Sequence, residues 1–219
     1  MKFVLSIILT TLSILLSSDL YAQTEVLFDG KSFSGWEGDT QSTWRIENGT
    51  ITAGSATKAA PRNEFLTTKN TYENFELNLK FKISKGEHLN AGVQFRTKRI
   101  PNHHEVSGYQ ADIAPEYDGH LYDESRRRRF LAKPSLKVLQ KVQSSVPADG
   151  WQTYRIVANG NRIQLWQNGI ATVDYVETDA TIEKSGVIAL QIHGQMKGTI
   201  AYRDITLKRL PSSKSSSSK

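Results

Sequence analysis

The sequence predicts an all-β domain built as a two-sheet antiparallel sandwich, and three observations support this. Residues Phe75–Ile83 read FELNLKFKI, a strict alternation. It puts Phe75, Leu77, Leu79, Phe81 and Ile83 on one face and Glu76, Asn78, Lys80 and Lys82 on the other. Turn signals stand at Asn48-Gly49, Asn159-Gly160-Asn161 and Asn168-Gly169, where Asn and Gly accept the positive φ of tight hairpins. Helical periodicity is nearly absent between Glu25 and Leu210. About ten short strands at close spacing pack as two layers.

The elements follow in order. Trp44–Glu47 and residues 50–53 flank the first turn and predict a hairpin. Residues 65–67 and Phe75–Ile83 are the next strands. Residues 91–96 (AGVQFR) and 109–113 (YQADI) alternate, with Pro115 ending the second. Gln152–Asn159 and Arg162–Gln167 flank the second turn. Residues 186–192 and 198–208 close the domain. Residues 125–133 are the best helical stretch, one or two turns long.

Residues 1–22 pair an early Lys2 with an apolar run and end in Tyr21-Ala22, which predicts a secretory signal peptide cleaved after Ala22. The run is short for a membrane span and Ser and Thr interrupt it, so a stable membrane anchor is not expected. Residues 23–210 make one domain, and the tail 211–219 (PSSKSSSSK) is expected to be disordered because it has nothing to bury. The chain has no Cys, which rules out disulfides and thiolate chemistry. A periplasmic or secreted protein is expected. The net charge is +6, and four of the positive charges are the run Arg126, Arg127, Arg128 and Arg129. No nucleic-acid-binding motif accompanies it, so the run reads as solvated or paired with carboxylates.

The densest chemistry lies at residues 108–131, GYQADIAPEYDGHLYDESRRRRFL. Five carboxylates, four arginines and three tyrosines share this stretch. Carboxylates and guanidinium forks bind hydroxyls, and aromatic rings cover the apolar faces of a sugar. A second signal is Gln191 and His193, two polar residues on one face of a strand that otherwise reads as core.

Several motifs then occur in order: LFDGKSFSGW (27–36), WRIENG (44–49), FLT (65–67), YENF (72–75) and NAGVQFR (90–96). They continue as GYQADI (108–113), WQTY (151–154), WQNG (166–169), GVIALQIHG (186–194) and YRDI (202–205). This pattern resembles the bacterial 3-keto-disaccharide hydrolase family over almost the whole mature chain. The resemblance implies a concanavalin A-like jelly roll, of the lectin and glucanase type, acting on glycosides already oxidised to a ketone at C3. The implied outcome is hydrolysis, or elimination to a 2-hydroxyglycal. The expected partner is therefore an oxidised glycoside; nucleic acid is not expected.

A C3 ketone acidifies the hydrogen on C2, so such a site needs a base, an acid for the leaving oxygen, and a donor at the enolate oxygen. His193 suits either proton-transfer role. Asp112 shares a strand face with Gln110 and serves as base, ligand or hydroxyl acceptor. Arg96, on the same face as Gln94, is the candidate for polarising the ketone. Glu124 is the second base candidate, with a carboxyl expected to be lowered by the arginines beside it. Glu64, Gln94, Tyr109, Gln110, Tyr122, Arg126 and Gln191 are the expected substrate contacts. A divalent cation held by Asp112, Glu124 and His193 is the one cofactor these residues suggest. Trp36, Trp44, Trp151 and Trp166 read as packing. Two alternatives stand beside this. One is a non-catalytic glycan-binding module of the same fold. The other is a two-carboxylate glycosidase, which the absence of a Glu-x-Asp-x-x-Glu-like run disfavours.

Overall fold

The structure is a computed structural model and describes residues 23–211. The expected signal peptide at 1–22 and tail residues 212–219 lie outside the described residues. The strands run β1 (Thr24–Val26), β2 (Trp36–Glu37), β3 (Trp44–Glu47), β4 (Thr50–Ser55), β5 (Glu64–Thr68), β6 (Phe75–Ile83), β7 (Ala91–Arg99) and β8 (Val106–Ile113). They continue as β9 (Leu121–Glu124), β10 (Phe130–Ala132), β11 (Gln152–Asn159), β12 (Arg162–Gln167), β13 (Ile170–Val176), β14 (Val187–Ile192) and β15 (Gly198–Arg209). One helix, α1 (Leu136–Ser144), interrupts them.

Two antiparallel sheets form the sandwich. One has the order β13-β12-β11-β6-β15-β4-β3 with β1 added to β15, and the other the order β10-β9-β8-β7-β14-β5-β2. All ten expected segments are strands. The strands not foreseen are short (β1, β2, β9, β10) or half exposed (β13), where alternation carries little signal.

Residues 125–133 are not helical, which corrects the sequence expectation. Ser125 and Arg128 hold positive φ of 49° and 52°, and the Arg128 amide donates to the Asp123 carbonyl at 2.9 Å. These close a hairpin between β9 and β10. The helix starts after Pro134 instead. The Ser135 side chain caps it at the Val138 amide, and Val142 supplies its buried contact.

The core lies between the sheets. The inward side of β6 contributes Phe75, Leu77, Leu79 and Phe81, as its alternation requires, against Val93, Phe95, Tyr109 and Ile113 of the facing sheet. Each such side chain contributes roughly 1.5–3 kcal/mol on burial. The facing sheet is unusual at its centre. Gly92, Gln94, Gln110, Asp112 and Gln191 point away from this core, yet all are buried. Strands β7, β8 and β14 are therefore covered on both faces, and the covering of the polar face forms the site.

Candidate functional site

Register brings the polar residues together. Gln191 of β14 pairs with Gly92 of β7, and Gly92 pairs with Asp112 of β8. One step along, Gln94 pairs with Gln110, and Gln110 pairs with Tyr122 of β9. Gly92 is needed here. A Cβ on it would meet the Gln110 side chain at 2.9 Å and Gln191 Oε1 at 3.1 Å. Its bareness lets the flanking amides close over β7.

A chamber of about 240 Å³ opens on this face, lined by Asn63, Asn90, Gln110, Asp112, Tyr117, Tyr122, Glu124, Phe130 and His193. The structure thus brings together four expected residues from β8 and β9 and His193 from the segment after β14. Gln94 and Gln191 lie beneath them. Gln94 Nε2 donates to Gln110 Oε1 at 2.6 Å, and Gln110 Nε2 donates to Asp112 Oδ1. Gln191 Nε2 donates to Glu124 Oε2 at 3.3 Å. These two glutamines hold the groups that line the chamber rather than line it themselves.

The electrostatics separate the two carboxyls. Burial pushes Asp112 up to about 8; the hydrogen bond from Gln110 opposes this, and the Glu124 and Asp118 charges add to it. Glu124 is also raised, first by burial and then by the Glu105 charge, while Ser125 and His193 pull it back. This corrects the expectation that neighbouring arginines lower Glu124. The arginines turn the other way. Arg126 Nε donates to Asp123 Oδ1 at 2.8 Å, and Arg127 binds both Asp123 and Glu177. Burial alone would raise Glu177, but Arg127 and the Tyr109 hydroxyl hold it at about 2. Asp123 is fully buried, so this cluster ties the β9 edge to the end of β13. Arg127 is thereby half-buried and paired with carboxylates, while Arg128 and Arg129 are exposed.

Four expected site residues lie elsewhere. Arg96 sits at a register shift in β7 with φ of 46°, so its side chain leaves the face of Gln94. Its donors go to the Glu73 carbonyl, the Gly160 carbonyl and Asn74 Oδ1 at 2.8, 2.8 and 3.2 Å. Burial lowers its pKa to about 10. Tyr109 points into the core, where it stacks on Phe95 and its hydroxyl donates to Glu177 Oε2 at 2.7 Å. Arg126 covers the Tyr109 ring, 4.5 Å from its centroid. Glu64 is opposite Ile192 in the ladder and faces a different cleft, bound by Arg62 Nε at 2.7 Å. Of the tryptophans, Trp36 and Trp44 are buried, while Trp151 and Trp166 are half-buried beneath Arg203 and Arg155.

The structure adds residues that sequence reasoning passed over. Asn63 precedes the FLT motif and accepts from the Gly194 amide at 2.8 Å. Asn90 opens the NAGVQFR motif, and its carbonyl accepts from the His193 amide at 3.1 Å. Glu105 accepts from Asn63 at 3.0 Å and from Ser125, which also reaches Glu124. A single Asn immediately before a strand start, at Asn63 and at Asn90, was the available signal. Among the described residues, no group of three or more His, Asp or Glu closes to metal-ligand geometry, although Asp112, Glu124 and His193 share the chamber. None of the described helices is long and apolar enough to cross a membrane.

Comparison with known proteins fits this architecture. A predicted glycosyl hydrolase from Parabacteroides distasonis superposes with a TM-score of 0.63 at 16% identity, covering 86% of this chain and 94% of that one. A second from the same organism gives 0.60 at 24% identity, covering 86% and 100%. The carbohydrate-binding module CBM66 of Bacillus subtilis gives 0.60 at 14% identity, covering 80% and 95%. At these identities the likeness is one of fold, shared also with a galectin-like protein of Bacillus subtilis. No curated protein matches the chain. The sequence profile of the 3-keto-alpha-glucoside-1,2-lyase-like domain matches residues 23–208, so the chain belongs to that carbohydrate-related family.

Proposed function

We propose that the protein cleaves 3-keto-glycosides by abstracting the C2 proton and eliminating the group on C1, with or without later addition of water. The observation that carries this is a chamber holding two carboxyls of raised pKa beside a histidine. Neighbouring carboxyls that repel each other do not both ionise readily, and the more deeply buried Asp112 keeps the proton. Neutral Asp112 then donates to the C3 oxygen as negative charge develops there, the task the sequence assigned to Arg96. Gln110 fixes its other oxygen.

Glu124 takes the C2 proton. Its raised pKa makes its carboxylate a stronger base than a solvated one. The C2–H electron pair forms the enolate, the C1–O bond breaks as the C1=C2 double bond forms, and His193 gives a proton to the departing oxygen. Hydration reverses the roles: water adds at C1 and gives a proton to His193, and protonated Glu124 returns its proton to C2. Tyr122 and Phe130, 5.2 Å apart between ring centroids, offer an aromatic wall for the sugar.

The test is incubation of the mature protein with a 3-keto-glucoside and with its unoxidised parent. Release of the aglycone from the keto form alone is expected. Binding of unoxidised glycans with no turnover of either would sink the reading and favour a glycan-binding role, as in the binding module of the same fold. Export completes the proposal, with a mature N-terminus at Gln23 to be found by sequencing the protein from the periplasm or medium.

A further inference from the structure

Seven cations and no carboxylate stand between Glu124 and Asp149: the four arginines Arg126 to Arg129, then Lys133, Lys137 and Lys141. The whole chain has a net charge of +6, so this one segment supplies all of it and leaves the rest one charge negative. Arg126 and Arg127 are bound to Asp123 and Glu177. The other five, Arg128, Arg129, Lys133, Lys137 and Lys141, are exposed. None of them has a carboxylate in ion-pair contact among the described residues.

Topology gathers these five along one edge of the sandwich. Arg128 and Arg129 close the turn from β9 into β10, Lys133 follows β10, and Lys137 and Lys141 lie one turn apart on α1. Strand β10 ends one sheet, β13 ends the other, and α1 packs on β13. Lys133 marks where this edge meets the reacting chamber. Its Nζ is 4.4 Å from the centroid of Phe130, a ring of the chamber wall. Stability does not call for such a row. The first turn of α1 has no acidic residue, and Lys137 stands there against the positive end of the helix dipole.

We propose that this edge docks an acidic polysaccharide, a glycan polymer bearing carboxylates or sulfates, at a surface separate from the reacting chamber; the proposal does not rest on the reaction given above. Long exposed ammonium and guanidinium groups spaced along an edge match a repeating row of anions rather than one discrete ligand. Membership of a carbohydrate-related family selects a glycan among polyanions. Two other polyanions fit less well. A lipid surface takes up a free apolar helix face, but on α1 Val142 is buried, Val138 and Leu139 are half-buried, and Leu136 alone of the apolar residues is exposed. A single-stranded nucleic acid takes stacking rings, and Phe130, the one aromatic of residues 125–148, lines the chamber beside Lys133.

The experiment measures Kd for polygalacturonate by titration calorimetry at low ionic strength, where exposed charges are least screened. Neutral dextran and phosphatidylglycerol vesicles are the comparison ligands. The proteins are the wild type, a triple variant Lys133→Gln, Lys137→Gln and Lys141→Gln, and a charge-matched control Lys58→Gln, Lys85→Gln and Lys184→Gln, which removes three exposed cations from elsewhere. The wild type is expected to bind polygalacturonate and not dextran. The edge variant should bind roughly tenfold more weakly or worse, with the control close to the wild type. Equal weakening in the two triple variants would make net charge the whole cause and overturn the surface. So would no binding of polygalacturonate by the wild type, or vesicles bound as tightly as the polysaccharide. Thermal melts that match the wild type show that a lost affinity is not misfolding. Binding is read without turnover, so this surface and the proposed reaction fail separately.

Discussion

Asp112→Asn separates the roles of the two carboxyls and exposes the energy stored in the site. Asp112 is 4% exposed, and burial pushes it up to about 8 from an ordinary 3.8. A pKa raised on folding gives stability that is complete below the unfolded value and is lost as pH rises through the folded one. Between pH 3.8 and pH 7 this amounts to up to about 4 kcal/mol, at about 1.4 kcal/mol per pH unit. An Asn of the same shape carries no charge to desolvate. The variant should therefore melt above the wild type at pH 7, by roughly 2–4 °C for each kcal/mol, and should converge with it near pH 4. A melting difference that is flat from pH 4 to pH 8, or a variant less stable at pH 7, would refute the reasoning.

The same variant reports on catalysis. If neutral Asp112 is the donor to the enolate oxygen, wild-type kcat/KM falls about tenfold from pH 7 to pH 9. The Asn amide still donates, so the variant keeps measurable activity and lacks that alkaline limb. Asp112→Ala removes the donor and costs about 10²–10³ in kcat. A wild-type rate that climbs through pH 8, with Asp112→Asn inert at every pH, would make Asp112 the base and reverse the assignment.

Three other outcomes follow from the contacts. Arg96→Ala takes the side-chain donor from the Glu73 and Gly160 carbonyls, while Asn74 Oδ1 keeps the Gly160 amide, and should destabilise the fold by about 2–3 kcal/mol in urea melts, with residual kcat at the wild-type level in the folded fraction. Gly92→Ala puts a methyl against Gln110 and Gln191 at a position without positive φ, so the clash alone carries the effect, and activity should drop at least tenfold. Glu105→Gln removes the charge that ranks after burial in raising Glu124, so the acid limb of the rate profile should move to lower pH, because a weaker base is ionised further down the scale.

The sandwich was legible because its evidence is local. The alternation of β6 and the Asn-Gly turns need no knowledge of distant partners, and the strands they announce are those of the structure. The site was legible only where a residue's strand keeps its phase. Gln110 and Asp112 share a face because β8 runs from Val106 to Ile113 without a break on that side, and both line the chamber. Arg96 was placed by the same parity count, but a register shift between Phe95 and Lys98 turned it away, and one extra residue in a strand leaves no mark in a composition or a period. Arg126, expected as a substrate contact, misled in a related way, although the run as a whole was read as solvated or paired with carboxylates, as it is. Its charge drew attention toward the pocket. Yet the partner that decides its direction, Glu177, is about 50 residues away in sequence and reaches Arg127 only through the closed sandwich. That closure explains the site's chemistry. With Arg126 and Arg127 spent on Asp123 and Glu177, no arginine is left to neutralise Asp112 and Glu124, and burial without a guanidinium partner drives the two carboxyls toward the protonated state. The arginines serve the chamber by staying out of it.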